Sequence, residues 1–144
     1  MTYQSLRSAP QSDDRNGKRP SLLIVDDDYD TCDLIRAFLS QDFDCDMAYD
    51  GETAIDKISA NDYAAIIADL MLPKMDGYEV LARASGLAPS TPIIIVTAMS
   101  CDVVKAMEMG AFDYIAKPFD PEQVEMSVRR AVNLHYHMPN IVDH

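Results

Sequence analysis

The sequence predicts an α/β domain: a doubly wound, five-stranded parallel sheet with helices on both faces. Three observations predict it. Short apolar runs such as SLLIVD, YAAIIAD and PIIIVT recur along the chain, as expected for strands buried on both faces. They alternate with stretches of helical spacing, and strands separated by helices run parallel through right-handed crossovers. The length, 144 residues, suits one domain. A chain of that size buries roughly 68–70% of its unfolded surface.

Residues 1–20 read as a flexible tail, polar and turn-rich without period. The first strand is Ser21–Asp26. Tyr29–Ser40 is a helix, with Cys32, Ile35, Phe38 and Leu39 forming its apolar side. Asp44–Tyr49 is a second, shorter strand. Asp50 caps a helix to about Ala60 that presents Ala54, Ile55 and Ile58. Tyr63–Asp69 is the third strand, and the loop LMLPKMDG leads into a helix over Tyr78–Ser85. Pro92–Thr97 is the fourth strand, and a helix over Asp102–Met109 is stopped by Gly110. Ala111–Lys117 is the fifth strand. Asp120, Pro121 and Gln123 form a strong helix start, with cap, first-turn proline and capping-box glutamine. That helix runs to about Tyr136, so the folded part is 21–137, with a C-terminal tail at 138–144.

Net charge is −12. Residues 1–20 carry four bases and two acids, which leaves −14 for the remainder. An acidic body repels phosphate backbones, so no direct nucleic-acid partner is expected. No apolar run approaches the ~20 residues needed to cross a bilayer, and the start lacks the apolar middle of a secretion signal. Cys32, Cys45 and Cys101 have no metal spacing and read as small apolar fillers in a reducing cytoplasm.

Ligands of such sheets bind at the carboxyl ends of the strands, at the switch point. The first strand ends in Asp26, Asp27 and Asp28, the third in Asp69, the fourth in Thr97 and the fifth in Lys117. Two carboxylates at about 4 Å repel by roughly 4 kcal/mol at an effective dielectric near 20. Asp26, Asp27 and Asp69 therefore need positive charge beside them, which a divalent hard cation and Lys117 supply together. An oxygen-only, partly open ligand set suits Mg2+, and Mg2+ held with waters to spare serves a phosphate. Lys117 and Thr97 then become a point charge and a hydroxyl donor for phosphoryl oxygens, and Asp69 the candidate nucleophile. Taken singly, each residue also has a plain structural role: Asp26–Asp28 as a capping loop, Asp69 as a turn residue, Thr97 as a strand residue.

The ordered set LLIVDDD, DLMLPKMDG, PIIIVTA and GAFDYIAKPFD resembles the receiver domain of two-component response regulators, over about residues 21–136. The resemblance implies the flavodoxin-like strand order 2-1-3-4-5. It implies that Asp69 is the phospho-acceptor. Asp27 would bind Mg2+ directly and Asp26 through water, with Asp69 and the backbone carbonyl of Met71 as further ligands. Thr97 would bond the transferred phosphoryl group, Lys117 would neutralise one of its oxygens, and Lys117–Pro118 would be a cis peptide. Tyr114 matches the aromatic switch position. Pro73 and Gly77 shape the loop after the acceptor. Between Thr97 and Gly110 the chain is two residues shorter than the commonest spacing of the family.

The implied donor is a phosphohistidine on a sensor histidine kinase or histidine phosphotransfer protein. The domain would catalyse its own phosphorylation and a slow self-dephosphorylation, without turnover of an external substrate. Met71 and Met99 flank the chemistry and offer no group to orient water, which predicts that slowness. Phosphorylation would shift the face of the fourth helix, fifth strand and fifth helix, controlling a partner, an output domain or a dimer. Other readings fit less well. An FMN binder wants glycines and hydroxyls where this chain has DDDYD. The D-x-D-x-[TV] pattern of aspartate-nucleophile phosphatases fails at Asp30. An EF-hand needs Gly and Glu where Thr31 and Ala37 stand. A phosphorylation-independent pseudo-receiver, acting only as an interaction module, is the alternative within the same fold.

Overall fold

The computed structural model describes residues 19–99 and 103–142. Along the chain they form β1 (Ser21–Val25), α1 (Tyr29–Leu39), β2 (Asp44–Ala48), α2 (Gly51–Ala60), β3 (Ala65–Ala68), α3 (Gly77–Leu87), β4 (Ile93–Thr97), α4 (Val103–Glu108), β5 (Ala111–Ala116) and α5 (Pro121–Val142). The sheet order is β2-β1-β3-β4-β5, with every neighbouring pair parallel. The chain winds outward from β1 to β2, then crosses back to β3, so the winding reverses between β1 and β3. That reversal is the crevice in which such sheets hold ligands.

Strand alternation divides the core into two layers. Leu22 and Ile24 of β1 face α1 and α5, packing with Ile35, Leu39 and Val128. Leu23 and Val25 face the other way, with Ala54, Ile58 and Leu81 of α2 and α3. The central strands β1, β3 and β4 are buried almost throughout, which explains their unbroken apolar sequences. Asp28, Asp50 and Asp76 each accept a backbone N–H at the start of α1, α2 and α3. Caps of this kind contribute about 1 kcal/mol each. Asp120 does the same for α5 through the Glu122 N–H.

β4 and β5 pair with an irregularity: Ile93 faces Ala111, but Ile94 faces Asp113, so Phe112 is the extra residue. A one-residue offset turns every later side chain to the opposite face. This bulge therefore sets which way Tyr114 and Lys117 point. Just before β5, Gly110 has φ +115°, and a Cβ there would lie 1.9 Å from Ser85 Oγ. Only glycine fits both the backbone and the space.

Several boundaries differ from the sequence reading. The regular strands stop short of Asp26, Tyr49, Asp69 and Lys117, leaving these residues at the rim. Phe38, expected in the core, is 38% exposed. Cys32, Ile35 and Leu39 lie three and four apart on one face, and Phe38 turns away from it. α5 runs to Val142, past the expected end near Tyr136 and into the expected tail. Pro139 removes one helical N–H, but residues after a proline can still take helical angles. At the other end, Arg19 belongs to the fold although it was expected in the tail. Its guanidinium donates to the Asp44 carboxylate and to the carbonyls of Gln41 and Phe43. Residues 1–18, Cys101 and Asp102 lie outside the described residues.

Candidate functional site

The two central strands deliver two carboxylates side by side. Val25 of β1 pairs with Ala68 of β3, and the bonding continues one residue further: Asp69 N–H donates to Val25 C=O at 2.9 Å, and Asp26 N–H to Ala48 C=O at 3.1 Å. Asp26 and Asp69 are 3% and 5% exposed. Asp27, next along the chain, is exposed. One carboxylate oxygen of each of Asp26, Asp27 and Asp69 lies within 4.8 Å of the others.

Lys117 reaches this cluster from beyond β5. Its Nζ donates to Asp26 Oδ2 at 2.7 Å and to Asp69 Oδ2 at 2.8 Å. The remaining oxygens are used alike: Asp26 Oδ1 accepts the Asp28 N–H, and Asp69 Oδ1 accepts the Met71 N–H, each at 2.9 Å. Both buried carboxylates are thus held by one ammonium and one backbone amide. Pro118 follows Lys117 through a cis peptide bond.

Charge is not balanced by the lysine alone. Three carboxylates and one ammonium leave two negative charges. Carboxylate oxygens within 4.8 Å of one another repel by roughly 3 kcal/mol or more at an effective dielectric near 20. Burial pushes the Asp26 carboxyl up, against the opposing hydrogen bond from Lys117. Burial also pulls Lys117 down, but its bonds to Asp26 and Asp69 outweigh this and hold its pKa above the ordinary value. A hard divalent cation matches the residual charge, the oxygen-only donors and the open side at Asp27, so these residues fit Mg2+.

Thr97, at the end of β4, is fully buried. Its Oγ1 accepts the Met99 N–H at 3.2 Å, which leaves its own proton free to be donated. Its backbone carbonyl accepts the Lys117 N–H at 2.9 Å, tying the ends of β4 and β5 together. Tyr114 is half-buried and donates its hydroxyl to the Met99 carbonyl at 2.9 Å. Met99 therefore links Thr97 and Tyr114 through the two ends of one residue's backbone. Composition gave no sign of this link, because backbone groups mediate it. Met71 is 52% exposed, so its side chain stands at the mouth of the site.

Cys32 lies under the cluster, its thiol donating to the Asp26 carbonyl at 3.4 Å. Burial pushes that thiol up to about 12 and the Cys45 thiol up to about 11, which makes both poor nucleophiles. A cleft of 310 Å³, lined by Asp44, Asp46, Asn61 and Tyr63 among others, opens near the amino-terminal ends of β1 and β2, away from the carboxylates.

The chain is similar in sequence and fold to known proteins. The sequence profile of the response regulator receiver domain matches residues 22–129. The chain is 39% identical over 112 residues to the response regulator ArlR of Staphylococcus haemolyticus, covering 76% of this chain and 51% of that protein. It is 36% identical over 111 residues to the transcriptional regulatory protein DltR of Streptococcus agalactiae, covering 75% and 50%. The chain thus spans about half the length of the curated relatives it matches. Among solved structures, a CheY-like receiver domain from Methanospirillum hungatei superposes with TM-score 0.81 at 26% identity, covering 84% of this chain and 99% of that one. The BeF3-activated DrrB receiver domain superposes with TM-score 0.74 at 30% identity, covering 81% and 99%.

Proposed function

The chain belongs to the response regulator receiver domain family, and from that premise we propose that it accepts a phosphoryl group on Asp69. The donor is a phosphohistidine of a sensor histidine kinase or histidine phosphotransfer protein, and the setting is the cytoplasm. The observation that carries the reading is the convergence of Asp26, Asp27 and Asp69 with the Lys117 ammonium at one rim.

Asp27, Asp69 and the backbone carbonyl of Met71 would hold Mg2+ together with Asp26. When bound, the ion supplies positive charge to the phosphoryl oxygens. One Asp69 oxygen attacks phosphorus in line as the bond to the imidazole nitrogen breaks. Lys117, already bonded to Asp69, moves its charge onto a phosphoryl oxygen. Thr97 donates its hydroxyl proton to another. Because Met99 joins Thr97 to Tyr114, a shift of Thr97 draws on the anchor of the Tyr114 hydroxyl. The face formed by α4, β5 and α5 then changes its affinity for a partner, an output domain or a second copy. Val104, Met107 and Met126 are exposed apolar side chains on its helices. The acyl phosphate decays slowly, since Met71 and Met99 cannot orient water. Nucleic acid is not a direct partner of a chain with net charge −12.

Intact-mass analysis after treatment with Mg2+ and acetyl phosphate tests the proposal. The native protein gains one phosphoryl group and Asp69→Asn gains none. Absence of any gain in the native protein points to an interaction module instead.

A further inference from the structure

Tyr29 and Tyr49 form a ring pair that the chemistry above does not use. Their centroids are 4.1 Å apart and their planes inclined by 34°. Tyr29 opens α1 and is 63% exposed. Tyr49 directly follows β2 and packs against the core layer beneath α1 and α5. One ring is thus fixed by the core, the second leans on it, and Tyr29 remains largely open to solvent.

The pair stands in line with the acceptor. Val25 is level with Ala48 and with Ala68 across the sheet, so Tyr49, Asp26 and Asp69 are the next row on β2, β1 and β3. All three continue the face that carries Met47, Ile24 and Ile67. Neighbouring strands are about 4.8 Å apart, which puts the backbones of Tyr49 and Asp69 about 10 Å apart. Lys117 enters from the β5 side, so the aromatic pair flanks the site on the side opposite the ammonium. Asp27, Asp28, Asp30 and Asp50 flank the two tyrosines along the chain. An open aromatic face on a chain of net charge −12 attracts a flat cation, and a phosphohistidine ring protonated on its second nitrogen is one.

We propose that the Tyr29–Tyr49 pair seats the imidazolium ring of the phosphodonor and so makes this domain select N-phosphoimidazole donors over acyl phosphates, an inference that rests on Asp69 being the acceptor. In the step, the Asp69 Oδ–P bond forms and the P–N bond breaks. The bonding pair returns to the ring nitrogen. The second nitrogen keeps its proton, and imidazole leaves neutral. A protonated ring is the better leaving group, so the seat favours the reactive form and holds it on the side away from Lys117.

Phosphorylation rates of the full chain with Mg2+, followed by intact mass, test this with N-phosphoimidazole and acetyl phosphate in parallel. Tyr29→Ala slows transfer from N-phosphoimidazole about threefold to fivefold, leaves transfer from acetyl phosphate unchanged, and Tyr29→Phe behaves as the native protein with both. Equal slowing with both donors, no slowing with either, or the same loss in Tyr29→Phe overturns the seat. A native protein that takes phosphoryl from neither donor overturns the assignment of Asp69 as well. Normal labelling by acetyl phosphate with an unaltered donor ratio overturns the seat alone.

Discussion

Asp26 and Asp69 divide their oxygens identically, one to the Lys117 ammonium and one to the amide two residues on. That arrangement fixes both side chains before any cation binds, so little ordering remains to be done on binding. The unmatched charge is the reason to expect a stability response to metal. Addition of Mg2+ at about one hundred times its dissociation constant raises unfolding free energy by about 2.7 kcal/mol. Asp27→Ala, which removes the exposed ligand and leaves the buried pair intact, loses most of that gain in thermal melts. Met71 predicts a rate: with its 52% exposed side chain at the mouth, Met71→Glu supplies a group that orients water and shortens the acyl-phosphate lifetime. A lifetime unchanged by that substitution removes Met71 from the account. Asp26, Asp69, Thr97 and Lys117 were legible in the sequence, because four of the apolar runs stop at a polar residue. The two hydrogen bonds that Lys117 donates to Asp26 and Asp69 were not, since nothing in GAFDYIAKPFD states how far the lysine reaches across the sheet.

At the scale of elements, two ion networks hold helices to the sheet. Asp46 of β2 accepts from Lys57 Nζ and Tyr63 Oη, each at 2.7 Å, fastening α2 to the edge strand. Burial pushes the Asp46 carboxyl up, but Lys57, Tyr63 and the Met47 amide outweigh it and hold its pKa below the ordinary carboxylate value. Its stabilisation is therefore present above the unfolded pKa of 3.8 and is lost as pH falls through the lower folded value. Asp46→Asn lowers stability near neutral pH by about 0.5 kcal/mol, as suits a half-exposed pair. In urea melts the gap from the native protein closes as pH drops below the ordinary carboxylate range. The second network is more buried. Arg129 of α5 pairs with Glu125, itself 5% exposed, and with Asp42 ahead of β2. Arg129→Met removes the ion pairs to the buried Glu125 and to Asp42 and costs about 3–5 kcal/mol. Element type and order were readable from apolar runs and caps. The β4–β5 bulge was not, because Ile93–Val96 are apolar without alternation and so carry no sign of register. Phe38 was misplaced because helical spacing alone gave the apolar side of α1 more width than the core beneath it has.

For the whole molecule, the parallel sheet places every candidate group at one rim and leaves two packed layers of core beneath it. No helix among the described residues is long and apolar enough to cross a membrane. The chain spans about half the length of relatives such as ArlR and DltR. Among the described residues α4 covers Val103–Glu108. The strand order was legible once the four motifs were seen together, whereas the path from Thr97 through Met99 to Tyr114 needed coordinates. Site-resolved mass spectrometry of protein treated with acetyl phosphate, with and without Mg2+, tests the central claim most directly. The account predicts a single phosphoryl group on Asp69, formed only when Mg2+ is present. Labelling of a different residue, labelling independent of Mg2+, or no labelling at all contradicts it.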